Sequence, residues 1–145
     1  MIALASDHAG FEYKQKIKTV LEGMNLSYRD FGTSSGDSTD YPDWGHAAAQ
    51  AVSTGECDRG ILVCGTGIGM SMVANKHKGV RAALCDSVSA ARLARQHNNA
   101  NVLTIGERLM GWECVVDTVK TFLTTPFEGG RHGRRVDKIH SLTGL

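Results

Sequence analysis

Apolar residues in this chain fall into two patterns. Short continuous runs occupy residues 1–6, 26–31, 60–64, 80–84 and 101–105, and these read as strands. Between them, apolar positions recur every three or four residues. Over 11–24, Tyr13, Ile17, Val20, Leu21 and Met24 fall on one helical face, which assigns Lys14, Lys16, Lys18 and Glu22 to the others. An alanine-rich helix is expected over 44–52, and another opens at 70–75. A helix over 87–96 has Asp86 or Ser87 to cap it, and one over 112–123 stops before Pro126. Residues 32–41, GTSSGDSTDY, are turn formers and read as a polar loop. After Gly129 the chain is basic, with a last short helix expected from Arg134.

Strands alternating with helices imply βαβ units, because parallel neighbours need a long crossover. The unbroken apolar character of ILVC and VLTI fits strands buried on both faces of a parallel sheet. The expected fold class is therefore α/β, with residues 1–145 as a single domain. In such sheets ligands sit beyond the carboxyl ends of the strands. That rule groups Ser6, Asp7 and His8 with Cys64–Gly69 and with Gly106–Arg108. It does not bring in His97, which precedes the fifth strand.

Composition removes several function classes. The net charge is +1, which offers no basic field for nucleic acid. No run approaches the ~20 apolar residues of a membrane span, and MIALASDHAG lacks the basic start of a secretory signal. The four cysteines, 57, 64, 85 and 114, form no CxxC pair. Free thiols in a reducing cytoplasm are expected, rather than disulfides or zinc.

The densest chemistry is GILVCGTGIGMSM, residues 60–72. Gly65, Gly67 and Gly69 follow a strand and precede a helix, where bare N–H groups can face an anion. A tight turn that merely needs glycine is the other reading. The spacing departs from GxGxxG, lacks the GK[ST] of a Walker loop, and has Met70 where a thiol phosphatase needs arginine. A helix start favours thiolate over thiol, which would equip Cys64 as nucleophile or general base. A buried, inert cysteine remains equally open on position alone. Asp7-His8 adds a polar pair at the same sheet edge. His97 alone would be a cation at a helix C-terminus. The arginines of GGRHGRR suit a phosphate, as does Arg108, though a basic tail is more often solvated surface.

Taken together, ASDHAG, TDYPD, ILVCGTGIGMSMVANK, RAALC, AARLARQHNNANVLTIGER and FEGGRHGRRV resemble the ribose-5-phosphate isomerase B (RpiB/LacAB) family of sugar-phosphate isomerases, from Ala5 to Val136. The resemblance implies a Rossmann-like α/β/α sandwich of five parallel strands. It also implies interconversion of ribose 5-phosphate and ribulose 5-phosphate in the pentose phosphate pathway, without metal or organic cofactor. It further implies a homodimer, or a dimer of dimers, with each active site shared between chains. On this resemblance Cys64 is the base that moves a proton between C2 and C1. The Gly65, Thr66, Gly67, Ile68 and Gly69 amides hold the enediolate, and the Thr66 hydroxyl assists. His97 opens the sugar ring. Asp7, Tyr41 and Asn98 hold the sugar, with Asp7 also able to assist opening. His8, Arg108, Arg131 and Arg135 clamp the phosphate, partly from the partner. One branch of the family uses a glutamate after the last glycine. Met70 cannot serve as that base, so this chain resembles the cysteine-type members.

Two rivals follow. Within the class, the substrate could be allose or galactose 6-phosphate. Outside it, the scaffold could be a non-catalytic nucleotide-binding module in which Cys64 and His97 are dispensable.

Overall fold

The computed structural model describes all 145 residues. The strands are β1 (Ile2–Ser6), β2 (Tyr28–Asp30), β3 (Arg59–Cys64), β4 (Ala82–Leu84) and β5 (Val102–Gly106). The helices are α1 (Phe11–Gly23), α2 (Tyr41–Ser53), α3 (Ile68–Ala74), α4 (Val88–Asn98), α5 (Trp112–Thr124) and α6 (Arg131–Thr143). All the strands pair in parallel, in the order β2-β1-β3-β5-β4. This is the expected three-layer α/β arrangement.

Side chains alternate across the sheet, so each strand feeds two cores. One face sends Ile2, Leu4, Ile61, Val63, Leu103 and Ile105 against Ile17 and Leu21 of α1, Ala91 of α4 and Val115, Val119 and Phe122 of α5. The other sends Ala3, Ala5, Leu62, Cys64 and Val102 against the alanines of α2 and Met70 and Ala74 of α3. Small residues on this second face let α2 and α3 lie close to the strands.

Three expectations change. Lys14 does not lie on a solvated face; it is fully buried beside Ile17 and Leu21. It occupies the i−3 position of the apolar stripe, and Asp30 makes burial tolerable: Nζ donates to both carboxylate oxygens at 2.7 and 2.9 Å and to the Thr33 carbonyl. α2 starts at Tyr41, three residues before the apolar spacing, because Pro42 suits a first helical turn. The basic tail is a full helix from Arg131, begun by Gly129 and Gly130 at φ +69° and +56° and packed on α4. The 87–96 helix is capped by Ser87, whose hydroxyl accepts from Ala90 N–H at 3.2 Å, and not by Asp86.

Candidate active site

The carboxyl ends of β1, β3 and β5 lie side by side, with Ser6 against Val63 and Cys64 against Gly106. Beyond them a cleft of about 200 Å³ is lined by Asp7, His8, Ala9, Tyr41, Cys64, Gly65, Thr66, Gly69 and Arg108.

The glycine loop is fixed by backbone crowding. Gly67 has φ +76°, and a Cβ there would sit 2.5 Å from the Leu84 side chain and 2.9 Å from the Ile105 carbonyl carbon. A Cβ on Gly106 would come within 2.6 Å of the Thr66 carbonyl. The loops after β3 and β5 therefore interlock, and Glu107 N–H donates to Cys64 O at 2.9 Å while Arg108 N–H donates to Gly65 O at 3.0 Å. The Cys64 sulfur accepts from Gly67 N–H at 3.1 Å, and Thr66 Oγ1 accepts from Ile68 N–H at 3.3 Å. As the first residues of α3, Ile68, Gly69 and Met70 have N–H groups without intrahelical acceptors. The chemistry available is a sulfur base beside backbone donors. At the neighbouring Cys85, burial, with a contribution from Asp86, pushes the thiol up to about 11.

Asp7 is 7% exposed, and its Oδ1 caps the 3-10 turn at His8–Gly10, accepting from Ala9 N–H at 2.9 Å and Gly10 N–H at 3.1 Å. That leaves Oδ2 for a ligand. His8 Nδ1 lies 3.2 Å from both the N and the O of Thr39, so the polar loop orients this ring. The loop is itself tied down: Ser6 N–H donates to Gly32 O, Thr33 N–H to Ser6 O, and Trp44 Nε1–H to Thr39 Oγ1. Lys14 anchors its first residues. Burial lowers the Lys14 ammonium, against the opposing hydrogen bond to Asp30. In Asp30, burial pushes the carboxyl up, but the hydrogen bonds from Lys14, Lys18 and Gly32 N–H outweigh it and hold the group below the usual range. Glu107 is also half-buried, which raises its carboxyl against the hydrogen bond from Tyr13 N–H.

His97, Asn98, Arg131 and Arg135 are not part of this cleft. α4 runs back from the carboxyl edge, and its last turn, with His97 and Asn98, ends at the amino edge of β5. Five residues of strand separate the two edges, roughly 13 Å at ~3.3 Å per residue. There His97 stacks on His132, with centroids 4.4 Å apart and planes 10° apart, and Glu128 lies beside both. Burial, then the neighbouring His97, lowers the His132 imidazole. Glu128 escaped the sequence reading, which also gave His132 and Lys14 no role in a site. Only Lys14 left a signal, its place in the 14-17-21 stripe.

The comparisons with known proteins agree with this geometry. A family profile described as Ribose/Galactose Isomerase matches residues 2–139. A putative sugar phosphate isomerase, YwlF, of Bacillus subtilis is 46% identical, covering 95% of this chain and 93% of its own. Ribose-5-phosphate isomerase B of Escherichia coli is 44% identical, over 97% and 95%. The structure of the Clostridium thermocellum ribose-5-phosphate isomerase B superposes with a TM-score of 0.97 at 47% identity, covering 99% of this chain and 97% of that one. The Mycoplasma genitalium enzyme with bound ribulose-5-phosphate gives 0.94 at 43%, over 99% and 95%. With its match spanning almost every strand and helix just described, the chain belongs to the ribose/galactose isomerase family.

Proposed function

We propose that this protein interconverts D-ribose 5-phosphate and D-ribulose 5-phosphate through a cis-enediolate, with Cys64 as the general base. The observation that carries the reading is the cleft itself, where the Cys64 sulfur shares one lining with Asp7, Thr66 and Gly69 at the start of a helix. The relatives named for ribose 5-phosphate, and the related structure holding ribulose-5-phosphate, supply the substrate.

Cys64 Sγ takes the C2 proton and returns it to C1, while the hydroxyl proton passes from O2 to O1. Negative charge moves onto the C1 oxygen, where the Gly65–Gly69 amides stabilise it and the Thr66 hydroxyl donates. The interlocked glycines already hold the backbone of this loop in place. Asp7 Oδ2 holds sugar hydroxyls beside Tyr41. His8 and Arg108 receive the phosphate.

The remaining functions fall to a second copy. His97 opens the ring, Asn98 holds the sugar, and Arg131 and Arg135 complete the phosphate clamp, all delivered by the partner in a homodimer or a dimer of dimers. Two observations support this. Within one chain these residues lie at the far edge of the sheet from Cys64. In addition, exposed Ile68, Leu84 and Leu109 border a pocket that shares Thr66 with the cleft, which places an apolar docking surface beside the base. No helix is long and apolar enough to cross a membrane. Four unpaired thiols suit the cytoplasm, where the pentose phosphate pathway would use the reaction.

The test is isomerisation of ribose 5-phosphate by chelator-treated protein beside Cys64→Ala, with allose 6-phosphate as the comparison substrate. Activity on the pentose that vanishes in the variant supports the reading. Activity that survives the substitution moves the base elsewhere.

A further inference from the structure

We infer that His97, Glu128 and His132 form a binding site for a divalent transition ion of the zinc class, and that filling it silences the isomerase. The second half rests on the ring-opening role proposed for His97; the first half does not.

One ligand atom from each of the three side chains lies within 4.8 Å of the others. His132 Nε2 is 3.6 Å from Glu128 Oε2, and His97 Nε2 is 4.0 Å from the same oxygen. Bonds of ~2.1 Å in a tetrahedral site place ligand atoms ~3.4 Å apart. The two edges, 3.6 and 4.0 Å, exceed that size by about 0.2 and 0.6 Å. Two imidazoles and a carboxylate are a donor set that zinc accepts, leaving a fourth position open. The stacked rings point their lone pairs side by side, so one ring must turn for them to converge. His97 and Glu128 are exposed enough to do so, while buried His132 supplies the fixed ligand.

The backbone brings the three together independently of any attraction between them. Glu128 N–H donates to Gln96 O at 3.1 Å, which ties the segment before α6 to the residue next to His97. His132 N–H donates to Gly129 O at 3.1 Å, which sets the first turn of α6 over that segment. Arg131 and Arg135 oppose a cation here, and the Glu128 carboxylate offsets them. An ion on Nε2 of His97 occupies a lone pair that a proton shuttle needs, so catalysis and metal binding compete for one nitrogen.

The experiment titrates chelator-stripped protein with Zn²⁺ by calorimetry and with Co²⁺ by absorption. One ion per chain is expected, with visible d–d bands and no thiolate charge-transfer band, and Glu128→Gln weakens binding at least about tenfold. Absence of binding, equal binding by Glu128→Gln, or a thiolate band lost in Cys64→Ser would each overturn the site. Inhibition is then followed in both directions. A 2-ketose phosphorylated at C5 has no free hydroxyl with which to close a five-membered ring, so it does not need opening. Zn²⁺ should slow the aldose direction at least tenfold more than the ketose direction, and Glu128→Gln should shift the inhibitory concentration upward by the same factor as the affinity. Equal inhibition in both directions, with binding intact, would leave the ion site standing and remove His97 from ring opening.

Discussion

The carboxyl edge of the sheet and the corner where α4 meets α6 carry similar side chains and are built differently. At the edge, Cys64, Asp7, His8 and Arg108 stand on adjacent strand ends, and their loops interlock through glycine-to-backbone contacts. At the corner, His97, Glu128 and His132 meet through one helix end and one turn, and two of the three are substantially exposed. The first region is assembled from neighbouring loops of one chain. The second lies at the opposite edge of the same chain's sheet from Cys64.

The sharpest way to break the contrast is Cys64→Ala. A general base contributes about 10²–10⁴ in rate, so kcat should fall by about 10³ while thermal unfolding stays within a degree or two. A fall below tenfold would make the edge a binding surface rather than the catalytic centre. Next in size is a mixing experiment. Assayed in the aldose direction, where each is nearly inactive alone, Cys64→Ala and His97→Asn chains should together recover about a quarter of wild-type turnover, since half the random dimers carry one intact shared site. No recovery after co-refolding would place both residues in the same chain's site. His97→Asn alone should lower the aldose direction by about 10² and leave the ketose direction nearly unchanged, read by coupled assays in each direction.

The smallest effect on turnover is expected from Asp30→Asn, which bears on stability. Its carboxyl is held below the usual range in the fold, so its contribution is complete above the unfolded value near 4 and is lost as pH falls through the depressed one. The variant should lose about 3 kcal/mol at pH 7, because Lys14 is left buried without its counter-charge. It should also show less further loss than wild type between pH 5 and 3 by urea unfolding.

How much of this was legible follows from the range of the forces involved. The parallel sheet and the cleft at Cys64 were readable because period, glycine placement and strand-end position are local facts. Lys14 was misread because its partner Asp30 lies across a crossover, and without that partner a lysine belongs in water. The α6 helix was underestimated because its first turn, RHGR, has weak intrinsic preference and depends on packing against α4. His97 could be named only through family resemblance. Its stacking on His132 is a tertiary event between one helix end and the first turn of another 35 residues on, and no periodicity announces it.

The loop between β2 and α2 is fastened at both ends, by Lys14 on Thr33 and by His8 and Trp44 on Thr39, while its middle touches little. Such a span can be lengthened or rewritten at small entropic cost. Residues 34–38 can therefore change over evolutionary time without disturbing the thiol, the amides or the interlocked glycines. The scaffold separates what must be inherited unchanged from what is free to vary.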